Sequence, residues 1–289
     1  MSGDAETAQS SQVVVYTSES RLRAPLAFLR AGLRDLRGAG PTARRFFKRS
    51  LAQRYRFSSL GLAWAFAPSV ITALVLTAGQ RTKLITGHGQ VPPPFYGVFG
   101  LTLGMTFLEA LNALRSLFPT HQNLLRRNNV PLEGLILAAI IEVTFNTLVR
   151  MVVLVVAFFF FAVRPSFHTL PCMVVGIVGV VLLGSGLGLL FAPYNSLKRD
   201  IENIMTFLPW ILFASTPVFV AARPGSAMAL AYQVNPLAWI FDSIRTASYG
   251  AHGSLWPAML ALPTGMGMLI LGWFACRLWR PYVVERSLV

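Results

Sequence analysis

The sequence predicts an all-α polytopic membrane protein, and three observations predict it. Of 289 residues, 54% are hydrophobic and only 12% charged, with mean hydropathy +0.58, which is not the balance of a soluble domain. Six apolar stretches succeed one another: Leu60 to Gly79, Phe95 to Leu114, Leu135 to Val163, Leu170 to Ala192, Asn203 to Ala222 and Trp256 to Cys276. About 20 such residues suffice to cross the hydrocarbon core. The basic residues are also unevenly shared between the links. Nineteen precede span one or lie in the even-numbered links and the C-terminal tail, whereas the other side holds Arg81, Lys83, Arg164, Arg223 and Arg245, and Arg150 lies inside span three. Lys and Arg collect on the cytoplasmic side, so both termini are expected there.

Two parts follow: residues 1–59, a cytoplasmic tail with amphipathic interface helices, and residues 60–289, the six-span domain. Met1 to Ser10 are small and polar and are expected to be disordered, with no signal-peptide pattern. Leu26, Leu29, Leu33 and Leu36 share one face of a helix whose other face carries Arg30, Arg34 and Arg37. Gly38-Ala39-Gly40-Pro41 reads as a breaker. A second amphipathic segment, Ala43 to Ser58, sets Phe46, Phe47, Leu51 and Phe57 against Arg44, Arg45, Lys48, Arg49 and Arg56, the pattern of a helix lying in the interface plane. The chain then enters the bilayer just after Leu60-Gly61.

Within the spans, Pro68 in span one and Pro209 and Pro217 in span five remove backbone donors and are expected to kink their helices. Gly176, Gly184 and Gly188 leave one side of span four narrow, for close packing and, as a second use, a dimer contact. Ser116 to Val130 reads as a short helical link. Arg223 to Ser254 is too polar to span, yet Leu230, Val234, Leu237, Ile240, Phe241 and Ile244 approximate one helical face, as in paired re-entrant helices on the outer side between spans five and six.

Several functions are disfavoured. Cys172 and Cys276 lie at or within apolar spans, and His88, His121, His168 and His252 stand singly without ligand spacing, so no disulfide framework or metal site is indicated. No phosphate-cradling loop, nucleophile elbow or zinc-protease helix is present, so the chain is read as a transport protein rather than an enzyme. The net charge of +14 reflects topology and attraction to lipid headgroups, and no nucleic-acid partner is expected.

Four segments carry a resemblance. Val15-Tyr16-Thr17-Ser18-Glu19-Ser20, then Arg54-Tyr55-Arg56-Phe57-Ser58-Ser59-Leu60-Gly61-Leu62-Ala63-Trp64, then Lys198 to Ile204 with Ser215-Thr216-Pro217-Val218, and finally Asn235-Pro236-Leu237-Ala238-Trp239-Ile240 through Arg245 resemble, in that order, the transmembrane subunits of ABC-2 type exporters of lipid-linked polysaccharide. That family includes O-antigen, teichoic-acid and galactan exporters. The preference for Arg over Lys and the abundance of Ala, Gly, Val and Leu look like a GC-rich genome, which favours the mycobacterial galactan branch. The resemblance implies a homodimer in the bacterial inner membrane, driven by two copies of a separate ATPase that binds ATP and Mg, with no cofactor in this chain. It also implies a polyprenyl-diphosphate-linked glycan as cargo. An ABC-2 permease for a drug or lipid, and an integral membrane enzyme of envelope glycan synthesis, are the alternatives.

Candidate residues fall into four groups. At the membrane-entering junction, Arg54 and Arg56 offer guanidinium forks to a diphosphate, with Ser58, Leu60 and Gly61 allowing backbone approach and Tyr55 and Trp64 placed to stack on the first sugars. Phe158 to Phe161, Trp210, Phe213 and Trp239 are further stacking surfaces, although four consecutive phenylalanines point all round a helix. Glu109, Glu142, Asn146 and Arg150 are costly polar groups at membrane depth, the last three spaced by four, and form either a polar wall of the path or a clamp between spans two and three. Pro119, Arg126, Arg127 and Asn128 sit in the link that the resemblance makes a coupling helix for the ATPase, and Asn235, Pro236, Trp239, Phe241 and Arg245 in the candidate outer gate.

Overall fold

The computed structural model describes residues 25–55, 67–81, 92–127, 130–197, 199–219, 225, 227–250 and 253–286. The expected tail Met1 to Ser10 lies outside the described residues, as do the side chains of Arg54, Tyr55, Arg126, Arg127 and Phe213. Among the described residues there are ten helices and no strand: α1 (Pro25–Tyr55), α2 (Ala67–Arg81), α3 (Pro93–Arg115), α4 (Leu117–Arg127), α5 (Leu132–Phe160), α6 (Leu170–Leu197), α7 (Arg199–Ser215), α8 (Ala227–Val234), α9 (Pro236–Tyr249) and α10 (Trp256–Arg286).

Among the described residues, four helices are long and apolar enough to cross a membrane, over Pro93–Arg115, Leu132–Phe160, Leu170–Ser196 and Trp256–Arg280. They match expected spans two, three, four and six. Of span one, only the part from Ala67 onward is described, with the apolar core Val70–Gly79. The expected span five falls on the 17-residue α7, which rises about 25 Å, somewhat less than the thickness of the hydrocarbon core. Its bounds correct the expected Asn203 to Ala222. The helix begins four residues earlier, with Asp200 and Glu202 in the first turn complementing the macrodipole. It stops at Ser215 because Pro217 disfavours helical backbone at Thr216. Pro217 therefore ends a helix instead of kinking one, whereas the residues before Ala67, on which a kink at Pro68 depends, lie outside the described residues.

Helix α6 is the hub, packed between α10 and α3; α3 in turn carries α5 and α2, and α1 lies along α5. Lipid gives no hydrophobic drive between helices, so close approach has to supply the attraction. The glycines supply it. A methyl group added at Gly184 would lie 2.7 Å from Phe107 O of α3, and one at Gly179 2.6 Å from Ala261 Cβ of α10. Gly265 and Gly272 answer from α10, where a methyl would lie 2.8 Å from Leu182 Cβ and 2.6 Å from Leu189 Cβ. Gly184 and Gly188 thus face α3 of the same chain, which fulfils the packing expectation and leaves that face closed to a dimer partner. The outward faces are apolar: Val70, Ile71, Leu74 and Val75 on α2, Val152, Val155, Val156 and Phe159 on α5, and Ile270 and Leu271 on α10 are all exposed.

The breaker expected at Gly38-Ala39-Gly40-Pro41 does not break the chain. Helix α1 runs unbroken through Pro41. Gly38, Gly40 and Pro41 are exposed, so the carbonyl freed by the proline lies where solvent or headgroups can satisfy it, whereas Ala39 and Ala43 are fully buried and hold both halves in line. Thr42 seats on Gly134 of α5, where a methyl would lie 2.8 Å from Thr42 Cγ2. Leu33 and Leu36 are exposed, and the packed side of the first half is Gly32, tucked under Trp273 of α10.

Polar contacts sort the helix ends. Arg277 near the end of α10 bonds Asp35 of α1 at 2.7 Å and Glu133 at the start of α5, Arg280 donates to Val130 O at 3.3 Å, and Arg115 closing α3 donates to Asn195 of α6 at 3.1 Å. At the opposite end, Ser166 N donates to Ser248 O at 3.0 Å and Ala258 N to Ser243 Oγ at 3.1 Å. Helices α1 and α4 therefore share the basic end, and the α8–α9 pair sits at the other.

Candidate transport site

At the basic end, helices α1, α3, α4 and α5 border an open cavity of about 660 Å³ whose lining includes Phe46, Arg49, Ser50, Glu109, Asn112 and Glu142. The amphipathic sequence of α1 builds one wall. Arg44, Arg45, Lys48 and Arg49 are exposed, while Phe46 meets the His121 ring edge-on at 6.1 Å and Phe47 meets Phe145 at 5.8 Å. Ser50 Oγ donates to Glu142 Oε2 at 2.6 Å, fastening α1 to span three.

The intramembrane polar groups form a clamp. Glu109 on α3 accepts from both Asn146 and Arg150 on α5, and Arg150 Nη1 also donates to Thr106 Oγ1 at 3.4 Å. The helical spacing of four that places Glu142, Asn146 and Arg150 on one face thus serves two partners, α1 for the first and α3 for the other two. The clamp between spans two and three is thus present, and Glu109 and Glu142 also line the cavity.

The link Ser116 to Val130 contains a short helix, as its sequence indicates. Leu117, Phe118 and Leu125 are buried, Pro119 and Thr120 are exposed, and the helix kinks at His121. His121 is therefore half-buried against Phe46 instead of solvated in a loop. Asn128 lies outside the described residues, as do Arg56, Ser58, Leu60, Gly61 and Trp64 of the membrane-entering junction.

The aromatic candidates separate. Phe158 packs edge-on against Phe95 at 4.8 Å and Phe161 against the same ring at 6.4 Å, so both belong to the protein interior, whereas Phe159 and Phe160 face outward. Trp210 is 75% exposed on α7.

At the other end, Asn235 makes the elbow between α8 and α9. Its Oδ1 accepts from Leu237 N–H at 3.0 Å, and its Nδ2 donates to Ser215 O at 2.9 Å and Ser215 Oγ at 3.0 Å. Pro236 follows at the first helical position, where a missing N–H costs nothing. Ile240, Phe241 and Ile244 are buried and Trp239 is half-exposed, so α9 is amphipathic as expected; Leu230 and Val234 of α8 are exposed and do not share that face. Arg245 is fully buried. Its guanidinium lies 3.8 Å from the centre of the Tyr96 ring and donates to Val218 O at 3.2 Å. Nε and Nη1 find no hydrogen-bond partner among the described residues. Burial raises the pKa of the Tyr232 and Tyr249 hydroxyls, against the opposing pull of Arg245, so both remain protonated donors.

Two features escape the sequence reading. Asp35, Glu133, Trp273 and Arg277 form an ion-pair group, buried at Glu133 and open at Asp35, in which Trp273 Nε1 also donates to Glu133 at 3.4 Å. Glu133 beside Pro131 at the head of an apolar run is the available signal. The other is the seat of Arg245: Gly100 has no room for a methyl, which would collide with Val218 O and Arg245 Nη2. Among the described residues, no group of three or more His, Cys, Asp or Glu side chains is placed to hold a metal.

An all-helical architecture with long apolar helices does not by itself name a family, and sequence comparison does. The model of the ABC-2 type transporter family matches residues 43–249. The chain belongs to that family. This ABC-2 permease is similar to the O-antigen export system permease protein RfbA of Myxococcus xanthus, 23% identical over 206 residues that cover 70% of this chain and 78% of that protein. It is also similar to two proteins of the same name from Klebsiella pneumoniae, 26% and 25% identical over 178 residues, covering 60% of this chain and 66% of each. The permease is a transport subunit. The matched range opens on α1 and closes on α9, so it includes both ends just described.

Proposed function

We propose that this permease is the membrane-spanning subunit of an ATP-driven exporter that moves a polyprenyl-diphosphate-linked polysaccharide from the cytoplasmic to the outer face of the inner membrane. It works as a homodimer with two copies of a separate ATPase, its termini in the cytoplasm. The observation that carries this reading is the similarity, over 70% of the chain, to a permease named for O-antigen export. A galactan is the preferred polymer, on the composition of the chain.

The basic end supplies the parts such a task needs. A diphosphate carries dense negative charge at headgroup level, and α1 presents Arg44, Arg45, Lys48 and Arg49 to the outside in the turns leading to Arg54 and Arg56. Guanidinium groups match phosphate oxygens with two parallel hydrogen bonds, which an ammonium does not. Recognition then needs only the headgroup and the first rings, so one site serves a polymer of any length. Helix α4, with its apolar face seated and Pro119 outward, is the element that receives the ATPase stroke.

The test reconstitutes the permease with its ATPase in vesicles and follows movement of a lipid-linked galactan. Arg54→Lys and Arg56→Lys keep charge and lose the fork. Each is expected to lower substrate affinity at least tenfold. Transport of the lipid-linked glycan at the parent rate by both variants removes the diphosphate site, and transport of a drug or simple lipid in its place removes the exporter reading.

A further inference from the structure

Between the end of α7, the head of α3 and the α8–α9 pair lies a second cavity, of about 330 Å³, lined in part by Tyr96, Pro217, Tyr232, Gln233, Trp239 and Asp242. Three of these side chains offer aromatic faces. Gln233 offers both a donor and acceptors, Asp242 accepts, and Tyr232 donates or accepts. A volume at the low end of small-molecule sites suits one or two sugar rings.

The walls are fixed. Asn235 ties the α8–α9 elbow to Ser215, and Pro217 follows directly. Tyr96 is held from behind by Arg245, whose guanidinium lies 3.8 Å from the ring centre and is itself anchored on Val218 O. Gly100 leaves the space that Arg245 occupies. Trp239 stands at the rim, 53% exposed.

Charge selects the ligand class. Aromatic faces beside a carboxylate also describe a cage for quaternary ammonium groups. Here, however, one face of Tyr96 already carries the Arg245 cation, and the Asp242 carboxylate stands one helical turn before that arginine, so their charges offset each other. A neutral ligand with hydroxyls and an apolar ring face fits such a site better than a cation or an anion does.

We propose that this cavity is a sugar-binding subsite, which takes one or two neutral sugar rings of the glycan as the chain leaves the protein at the α8–α9 end. Tyr232 and Trp239 stack on ring faces, the Tyr232 hydroxyl, Gln233 and Asp242 bond sugar hydroxyls, and Arg245 is a positioning residue acting through Tyr96. The proposal rests on the exporter reading for its ligand, and on the cavity alone for its place.

The full permease, purified with its ATPase, is titrated with a soluble digalactoside, and separately with choline chloride and inorganic phosphate. Binding is read by ligand-observed saturation-transfer NMR and by tryptophan fluorescence. Saturable digalactoside binding is expected, weakened at least tenfold by Trp239→Ala and several-fold by Asp242→Asn and Tyr232→Phe. The last two variants keep side-chain volume and guard against simple unfolding. Absence of digalactoside binding, preference for choline or phosphate, or equal affinity in the parent and all three variants overturns the subsite. Export of lipid-linked galactan by a parent complex that binds no digalactoside sinks the subsite and leaves the exporter reading standing. Saturable digalactoside binding lost in Trp239→Ala, in a complex that exports no glycan, supports the subsite and removes the exporter reading.

Discussion

Glu109 and Arg150 show how a charge survives at membrane depth. Their side chains are only 21% and 18% exposed, and each is bonded to more than the other: Glu109 also accepts from Asn146, and Arg150 also donates to Thr106. Breaking a buried pair by removing one partner costs about 3–5 kcal/mol, more than replacing both. Partial exposure reduces that, so Glu109→Leu alone is expected to destabilise by about 2–3 kcal/mol and Glu109→Leu with Arg150→Met by less than the two single losses added. Thermal unfolding of the detergent-solubilised protein measures the cycle, and strictly additive losses contradict the clamp. Arg245 is a starker case, and its weak point is Gly100. Gly100→Ala forces either Val218 or the guanidinium to move, at a cost typical of core overpacking, about 1–3 kcal/mol. Faster proteolysis of the α8–α9 link is the expected sign; unchanged proteolysis and melting contradict the seat. The sequence places Glu142, Asn146 and Arg150 on one face because period 3.6 is local. It does not reveal that Arg245, counted as a loop charge, is buried, since burial depends on Tyr96 and Val218, both far away in the chain.

At the scale of elements, α1 and α4 depend on each other. Phe46 joins α1 to His121 of α4, and Thr42 with Gly134 and Ser50 with Glu142 join α1 to α5; under the proposed coupling, a push on α4 reaches the basic amphipathic helix and span three through these contacts. Charge reversal at Arg126 and Arg127 is expected to weaken assembly with the ATPase or uncouple hydrolysis from transport, while the protein still inserts. Co-purification and a transport assay read the two outcomes, and unchanged assembly with unchanged export makes α4 a passive link. The existence of the α8–α9 pair is legible from apolar residues at helical spacing, and that of α4 from the compact link Ser116 to Val130. Their ends and neighbours are less so. Pro41 reads as a breaker by local rules, yet Ala39 and Ala43, both fully buried, keep α1 whole. Conversely, Pro217 ends a helix that apolarity alone would extend to Ala222.

For the whole molecule, the described helices sort into a basic end with α1 and α4 and an opposite end with α8 and α9, joined by spans whose outer faces are apolar. Nothing in the sequence resembles a loop that cradles phosphates, so the purified permease is expected to hydrolyse no ATP alone and to support hydrolysis only with its partner. Substantial turnover by the lone, contaminant-free chain contradicts that division of labour.

Composition, hydropathy and the count of basic residues determine a membrane class, the approximate spans and the expected orientation, because each is a sum over local residues and the bilayer acts on every segment alike. Motif order along the chain determines the family. Only the tertiary structure decides which of the costly groups are partnered, since Glu109 with Arg150 and Arg277 with Glu133 and Asp35 join helices distant in sequence. It also decides which phenylalanines lie inside, because Phe158 and Phe159 differ only in the face they present to Phe95. Lipid is as apolar as leucine, so hydrophobicity cannot say which side of a span meets protein; close approach at glycine and the pairing of buried polar groups settle it.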